Sequence, residues 1–137
     1  MEKEMAKITT TAFVEKCKGY FACYTPDTIE DCSLAGYGST PKEAMDDMLV
    51  TYSEIKEINS ENGISTPELN FKYQFDVPSF FAHFKWINVS KFAEVIGINP
   101  SLLRQYASGL AKASAPQIEK INKSLEKISS ELRVEIA

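Results

Sequence analysis

Asn99, Ser101, Arg104, Gln105 and Ser108 are hydrogen-bonding side chains interleaved with the apolar Leu103 and Tyr106. At helical spacing they share one face. Arg and Gln pair bidentately with base edges in a DNA major groove, while Ser and a helix N-terminus suit phosphate oxygens. Arg104 and Gln105 are therefore the candidates for reading bases. Ser101 and the helix start at Asn99 are candidates for phosphate, Ser108 shares the outward face, and Lys112 lies just beyond as a further phosphate contact.

Other chemistry finds less support. A metal-dependent nuclease needs several carboxylates converging on two divalent cations about 4 Å apart. The candidates are Asp27, Glu30, Asp31, Asp46 and Asp47. The first three read as loop and the last two as the exposed side of a helix, so no catalytic set is expected and the chain is read as a non-enzyme. Cys17, Cys23 and Cys32 form neither an even disulfide set nor close metal-ligand doublets. They read as reduced thiols packed in or near a sheet. His83, the only histidine, stands among Phe81, Phe84 and Trp86 and reads as part of an aromatic cluster rather than a base. No phosphate-cradling glycine loop is present, and no cofactor is expected.

The elements that would carry the Arg/Gln face are two short helical patterns, with Phe92, Ala93 and Ile96 inward on the first and Leu103 and Tyr106 inward on the second. Ala93 is small where helices cross. Gly97 can take the positive φ that ends a helix, Ile98 fills the corner, Asn99 can cap the next helix, and Pro100 suits its first turn. Leu102 beside Leu103 leaves one apolar side chain for a thymine methyl or for a protein interface. The stretch NVSKFAEVIGINPSLLRQYASG resembles the helix-turn-helix of the Xre/Cro-type repressors. The resemblance implies operator double-stranded DNA as a partner, bound by a homodimer or higher oligomer whose two units match two half-sites.

Charge divides the chain. The 137 residues carry a net charge of −4. Residues 1–77 hold 7 Lys/Arg against 14 Asp/Glu, net −7, and residues 78–137 hold 8 against 5, net +3. The positive half suits phosphate, and the acidic half suits a basic protein.

In the acidic half, residues 6–16 and 20–25 read as strands and residues 32–37 as a weaker third, together an antiparallel meander. Thr40, Pro41 and Glu43 then have capping-box spacing. The helix they open carries Ala44, Met45, Met48, Leu49, Tyr52, Ile55 and Ile58 on one stripe, and Asn62-Gly63 stops it. Residues 69–77, LNFKYQFDV, alternate as a half-buried strand. A boundary follows at Asp76 to Ser79. Pro78 or Ser79 would start a first helix of the second domain through Phe80, Phe81 and Phe84, with Trp86 joining its buried cluster. The last helix, residues 116–132, has Ile118, Ile121, Leu125, Ile128 and Leu132 as its stripe. The ending LRVEI reads either as a frayed turn or as a short strand paired with a dimer mate.

The expected class is α+β: an N-terminal β-β-β-α-β two-layer domain, residues 1–77, followed by an all-α helix-turn-helix domain, residues 78–137. That order, with GYGSTPKEAMDDM at the junction of third strand and helix, looks like the HicB family of antitoxins, whose N-terminal domain is a truncated relative of the ribonuclease H fold. The resemblance implies an antitoxin that neutralises a HicA-like ribonuclease toxin and represses its own operon. Glu30, Asp31, Asp46 and Asp47 would meet toxin Lys or Arg. Two rival readings remain open: a stand-alone regulator whose N-terminal domain binds another protein or a ligand, and an interaction module that has lost DNA binding. The apolar runs are far shorter than the ~20 residues of a membrane span, and the N-terminus has acidic residues where a signal peptide is basic. No membrane partner and a cytoplasmic location are expected.

Overall fold

Threonine, isoleucine and valine crowd β1 (Ile8–Lys16), and such β-branched side chains fit a pleated strand better than a helix. Ala12 and Val14 on one of its faces are completely buried. The computed structural model describes residues 7–26 and 33–137. Among these the fold is mixed α+β, with four strands and five helices. They form two compact units, residues 1–84 and 85–137.

In the first unit β1 pairs antiparallel with β2 (Phe21–Tyr24), with Val14 opposite Cys23. β2 pairs antiparallel with β3 (Ala35–Gly38). The expected meander is therefore present. The fourth strand, β4 (Leu69–Phe75), lies parallel to β1 on the other side, with Ala12 opposite Tyr73 and Val14 opposite Phe75, giving the order β3-β2-β1-β4. A parallel return needs a long crossover. The 21 residues of α1 (Pro41–Glu61) supply it.

α1 starts as its sequence implies. Thr40 Oγ1 accepts from Glu43 N at 3.1 Å, and Pro41 occupies the first turn. The Glu43 carboxylate accepts from the hydroxyl of Ser39 at 2.6 Å and from the Ser39 N–H at 2.9 Å. These bonds, the hydroxyl first, hold its pKa below the ordinary carboxylate value. The helix buries Ala44, Met48 and Tyr52 against Ala12, Val14, Cys23 and Leu34. Leu49 and Ile58, expected on the stripe, are exposed. Leu49 is turned about 100° from Met48, away from the sheet.

Two glycines let α1 lie directly on β3. A Cβ at Gly36 would stand 2.1 Å from Met48 N and 2.4 Å from the Ala44 carbonyl oxygen, and one at Gly38 would stand 2.4 Å from Glu43 Cβ. No side chain fits there. The close approach also lets α1 satisfy the outer edge of the sheet: Tyr37 N–H donates to Asp47 Oδ2 at 2.9 Å, and Thr51 Oγ1 donates to the Ala35 carbonyl at 3.3 Å. An edge strand so occupied is a poor template for another chain.

The boundary falls later than the sequence implied. α2 (Val77–His83) starts one residue before Pro78, which lies in its first turn, and is capped by Asp76, whose Oδ1 accepts from Ser79 N at 2.8 Å. The other carboxylate oxygen of Asp76 accepts from Lys16 N at 2.8 Å, so the cap ties α2 to the end of β1. Phe75 stacks on His83 at 5.3 Å and lies 6.1 Å from Phe84. α2 packs on β1, β4 and α1 and belongs to the first unit, which ends at Phe84 rather than at Val77. Trp86, expected in that buried cluster, lies in the second unit and is 78% exposed.

Candidate nucleic-acid interface

In the second unit α3 (Val89–Ile96) begins at Asn88, whose Oδ1 accepts from Lys91 N at 2.9 Å. It ends at Gly97, held left-handed at φ 75° and ψ 34°. The next residue, Ile98, is buried, and its N–H donates to the Ala93 carbonyl at 3.0 Å. Asn99 Oδ1 then accepts from Ser101 N at 2.9 Å and Leu102 N at 3.2 Å, opening α4 (Pro100–Ser108). Phe92, Ala93, Ile96, Ile98, Leu103, Tyr106 and Ile121 are all buried. Two short helices are thus fixed around a three-residue turn by one small core. α5 (Ala115–Glu131) reinforces the turn, because Lys120 Nζ donates to the Gly97 carbonyl at 2.6 Å, a cation on the C-terminal end of α3.

The sequence-derived residues fall as follows. Ser101, Arg104, Gln105 and Ser108 are exposed along α4, Ser101 standing three and four residues before Arg104 and Gln105, and Ser108 four and three residues after them. Asn99 is exposed at its start, but its side-chain oxygen is spent on the helix N–H groups. Ser108 Oγ donates back to the Gln105 carbonyl at 3.1 Å. Lys112 is exposed in the connection to α5. Leu103 is fully buried, and Leu102 beside it is half-buried.

One residue was missed. Ser90 Oγ, on α3, accepts from Arg104 Nη1 at 2.6 Å. Arg104 makes no ion pair with a carboxylate among the described residues, so four of its five N–H donors stay available while the serine fixes where the guanidinium sits. The sequence signal was a hydroxyl near the start of the first helix, and only the crossing of α3 and α4 reveals what it faces.

Of the acidic candidates in the first unit, Glu30 and Asp31 lie outside the described residues. Asp46 pairs with Lys42 at 2.6 Å on the exposed side of α1, and Asp47 holds the β3 edge. The two neighbours are not a matched patch: Asp46 is paired at the surface, whereas Asp47 is part of the fold. Cys23 is buried with its Sγ 3.5 Å from Met48 Sδ, and burial pushes its thiol up to about 11. Among the described residues no helix is long and apolar enough to cross a membrane. In comparison with known proteins, no family model, no curated protein and no solved structure matches the chain.

Proposed function

We propose that the protein is a HicB-type antitoxin that also acts as a repressor, with its second unit, a helix-turn-helix, binding operator DNA and its acidic first unit neutralising a small basic ribonuclease. The observation that carries the DNA half is the exposed Ser101, Arg104 and Gln105 face of α4, mounted on a capped, buried α3–turn–α4 core, with Arg104 held by Ser90. A guanidinium and a carboxamide on adjacent positions suit guanine and adenine edges. The toxin half is supported by the net −7 of residues 1–77 and by the likeness of the GYGSTPKEAMDDM junction to HicB chains. In this reading the glycines of that junction serve the close seat of α1 on β3, the protein carries out no catalysis of its own, and it works in the cytoplasm as a dimer or higher oligomer.

The stand-alone regulator is the second reading. It is favoured by one observation, that Asp46 and Asp47 are both engaged within the first unit's own fold. Purifying the tagged protein from its native locus separates the two. A stoichiometric small basic partner, toxic when expressed alone, supports the antitoxin. A homo-oligomer that shifts an operator fragment but brings down no partner supports the regulator.

A further inference from the structure

The chain after α5 alternates in a way that nothing within its own unit uses. Leu132, Val134 and Ile136 are 66%, 73% and 97% exposed, and Arg133 and Glu135 lie between them. Among the described residues the segment has no strand partner: Leu132 closes α5 in helical conformation, its N–H donating to Ile128 O at 3.0 Å, while Arg133 N donates to Ser130 O at 3.3 Å and Val134 N to Leu132 O at 2.9 Å, a local turn that opens when residues 132–134 extend. The helix before it runs an apolar stripe in the same direction, from buried Ile121 through half-buried Leu125 and Ile128. Its charged side is partly self-satisfied by the Glu119–Lys123 pair at 3.0 Å.

Period-two alternation marks a strand with one face to bury. The charges decide what lies beside it. If two copies of residues 132–136 pair antiparallel about Val134, each Arg133 stands directly opposite a Glu135, each Leu132 opposite an Ile136, and Val134 opposite itself. Opposite charges in direct cross-strand positions attract, and like charges there repel. A parallel in-register pairing would instead set Arg133 against Arg133. The segment is self-complementary in one register and one direction, which is the property of a two-fold interface. A bare two-stranded ribbon is marginal in water. Here each strand continues a helix whose stripe offers Leu125 and Ile128 as a floor.

We infer that residues 132–136 of two copies of this chain pair as an antiparallel ribbon centred on Val134, its apolar face laid on the two α5 stripes. This deepens the repressor reading by naming the surface that joins its two copies. It rests on that reading for its use but not for its existence, since the ribbon needs no DNA.

Directly opposite residues in an antiparallel pair have Cα atoms about 4.5–5.5 Å apart, within disulfide range. Residue 132 and its own counterpart would be about 14 Å apart at a rise of about 3.4 Å per residue. In the full-length protein, V134C is expected to form a covalent dimer on mild oxidation that the wild type does not form, and L132C is expected not to, while a mixture of L132C and I136C cross-links. R133E and E135R each weaken the dimer about tenfold by sedimentation equilibrium, and R133E/E135R together regain it. A V134C chain that stays monomeric on oxidation, or an L132C chain that cross-links as fast, overturns the ribbon. Operator shifts by the same proteins keep the two ideas apart. Shifts without a V134C cross-link remove the ribbon and leave the repressor reading, and a cross-linked dimer that shifts no duplex does the reverse.

Discussion

Replacing Gly36 with alanine tests how α1 is seated. The new methyl carbon would lie 2.1 Å from Met48 N, 2.4 Å from Ala44 O and 2.7 Å from Met48 Cα, all main-chain atoms of one helix. None can rotate away. Ordinary contact begins near 3.4 Å, so the helix must withdraw by more than an ångström. A gap of ~1 Å forfeits up to about half the dispersion energy of the atoms across it, and the atoms here belong to the fully buried Met48, Ala44 and Cys23 layer. Overpacking of this kind costs about 1–3 kcal/mol. Withdrawal also stretches the Asp47 and Thr51 bonds to the β3 edge, each worth ~1 kcal/mol. G36A should therefore lose about 3–5 kcal/mol, a large share of the ~5–15 kcal/mol that holds a domain folded. G38A should also be costly, about 1–3 kcal/mol, because its methyl carbon would lie 2.4 Å from Glu43 Cβ, 2.8 Å from Ala44 N and 2.9 Å from the Glu43 carbonyl carbon, atoms of the first turn of α1 that cannot rotate away either. Urea unfolding of the full-length protein gives the totals, and hydrogen exchange of α1 peptides assigns them to the first unit. A G36A protein within about 0.5 kcal/mol of wild type, in the range of ordinary surface changes, would refute the close-seat argument.

Three further outcomes are expected. Arg104→Ala should weaken cognate operator binding by about 1–3 kcal/mol, roughly five- to 150-fold, and blunt base preference, while Ser90→Ala should cost a smaller part of the same discrimination; competition gel shifts with mutated operators check this, and unchanged affinity for R104A removes the residue from the base-reading set. Iodoacetamide at pH 8 should label half-buried Cys17 well before Cys23, because burial keeps the Cys23 thiol protonated with a pKa near 11; mass spectrometry showing equal native rates would contradict it. Glu43 has a folded pKa below its ordinary 4.5, so its stabilising contribution is present above that value and fades as pH falls through the lower folded value. E43Q should flatten the acid side of the melting-temperature profile below about pH 4.5, and an identical acid slope in both proteins counts against the Ser39–Glu43 bonds.

The sequence by itself determined what depends on neighbours within about four residues. Thr40 and Asn99 cap their helices, Gly97 takes the left-handed turn, and Ile98 fills the corner. The strand alternation from Leu69 to Phe75 is likewise local, since successive side chains must point to opposite faces. Only the tertiary structure decided the contacts between residues distant in the chain. It set β4 parallel beside β1, because the return through α1 fixes the direction in which the chain re-enters the sheet. It moved the aromatic helix α2 into the first unit, because one carboxylate, Asp76, both caps that helix and accepts from Lys16, sixty positions away. It turned Asp47 from a surface charge into an edge clasp, and it put Ser90 against Arg104 across two crossing helices. Periodicity tells which face of an element is buried, but not which element covers it, and these four contacts all turn on the second question.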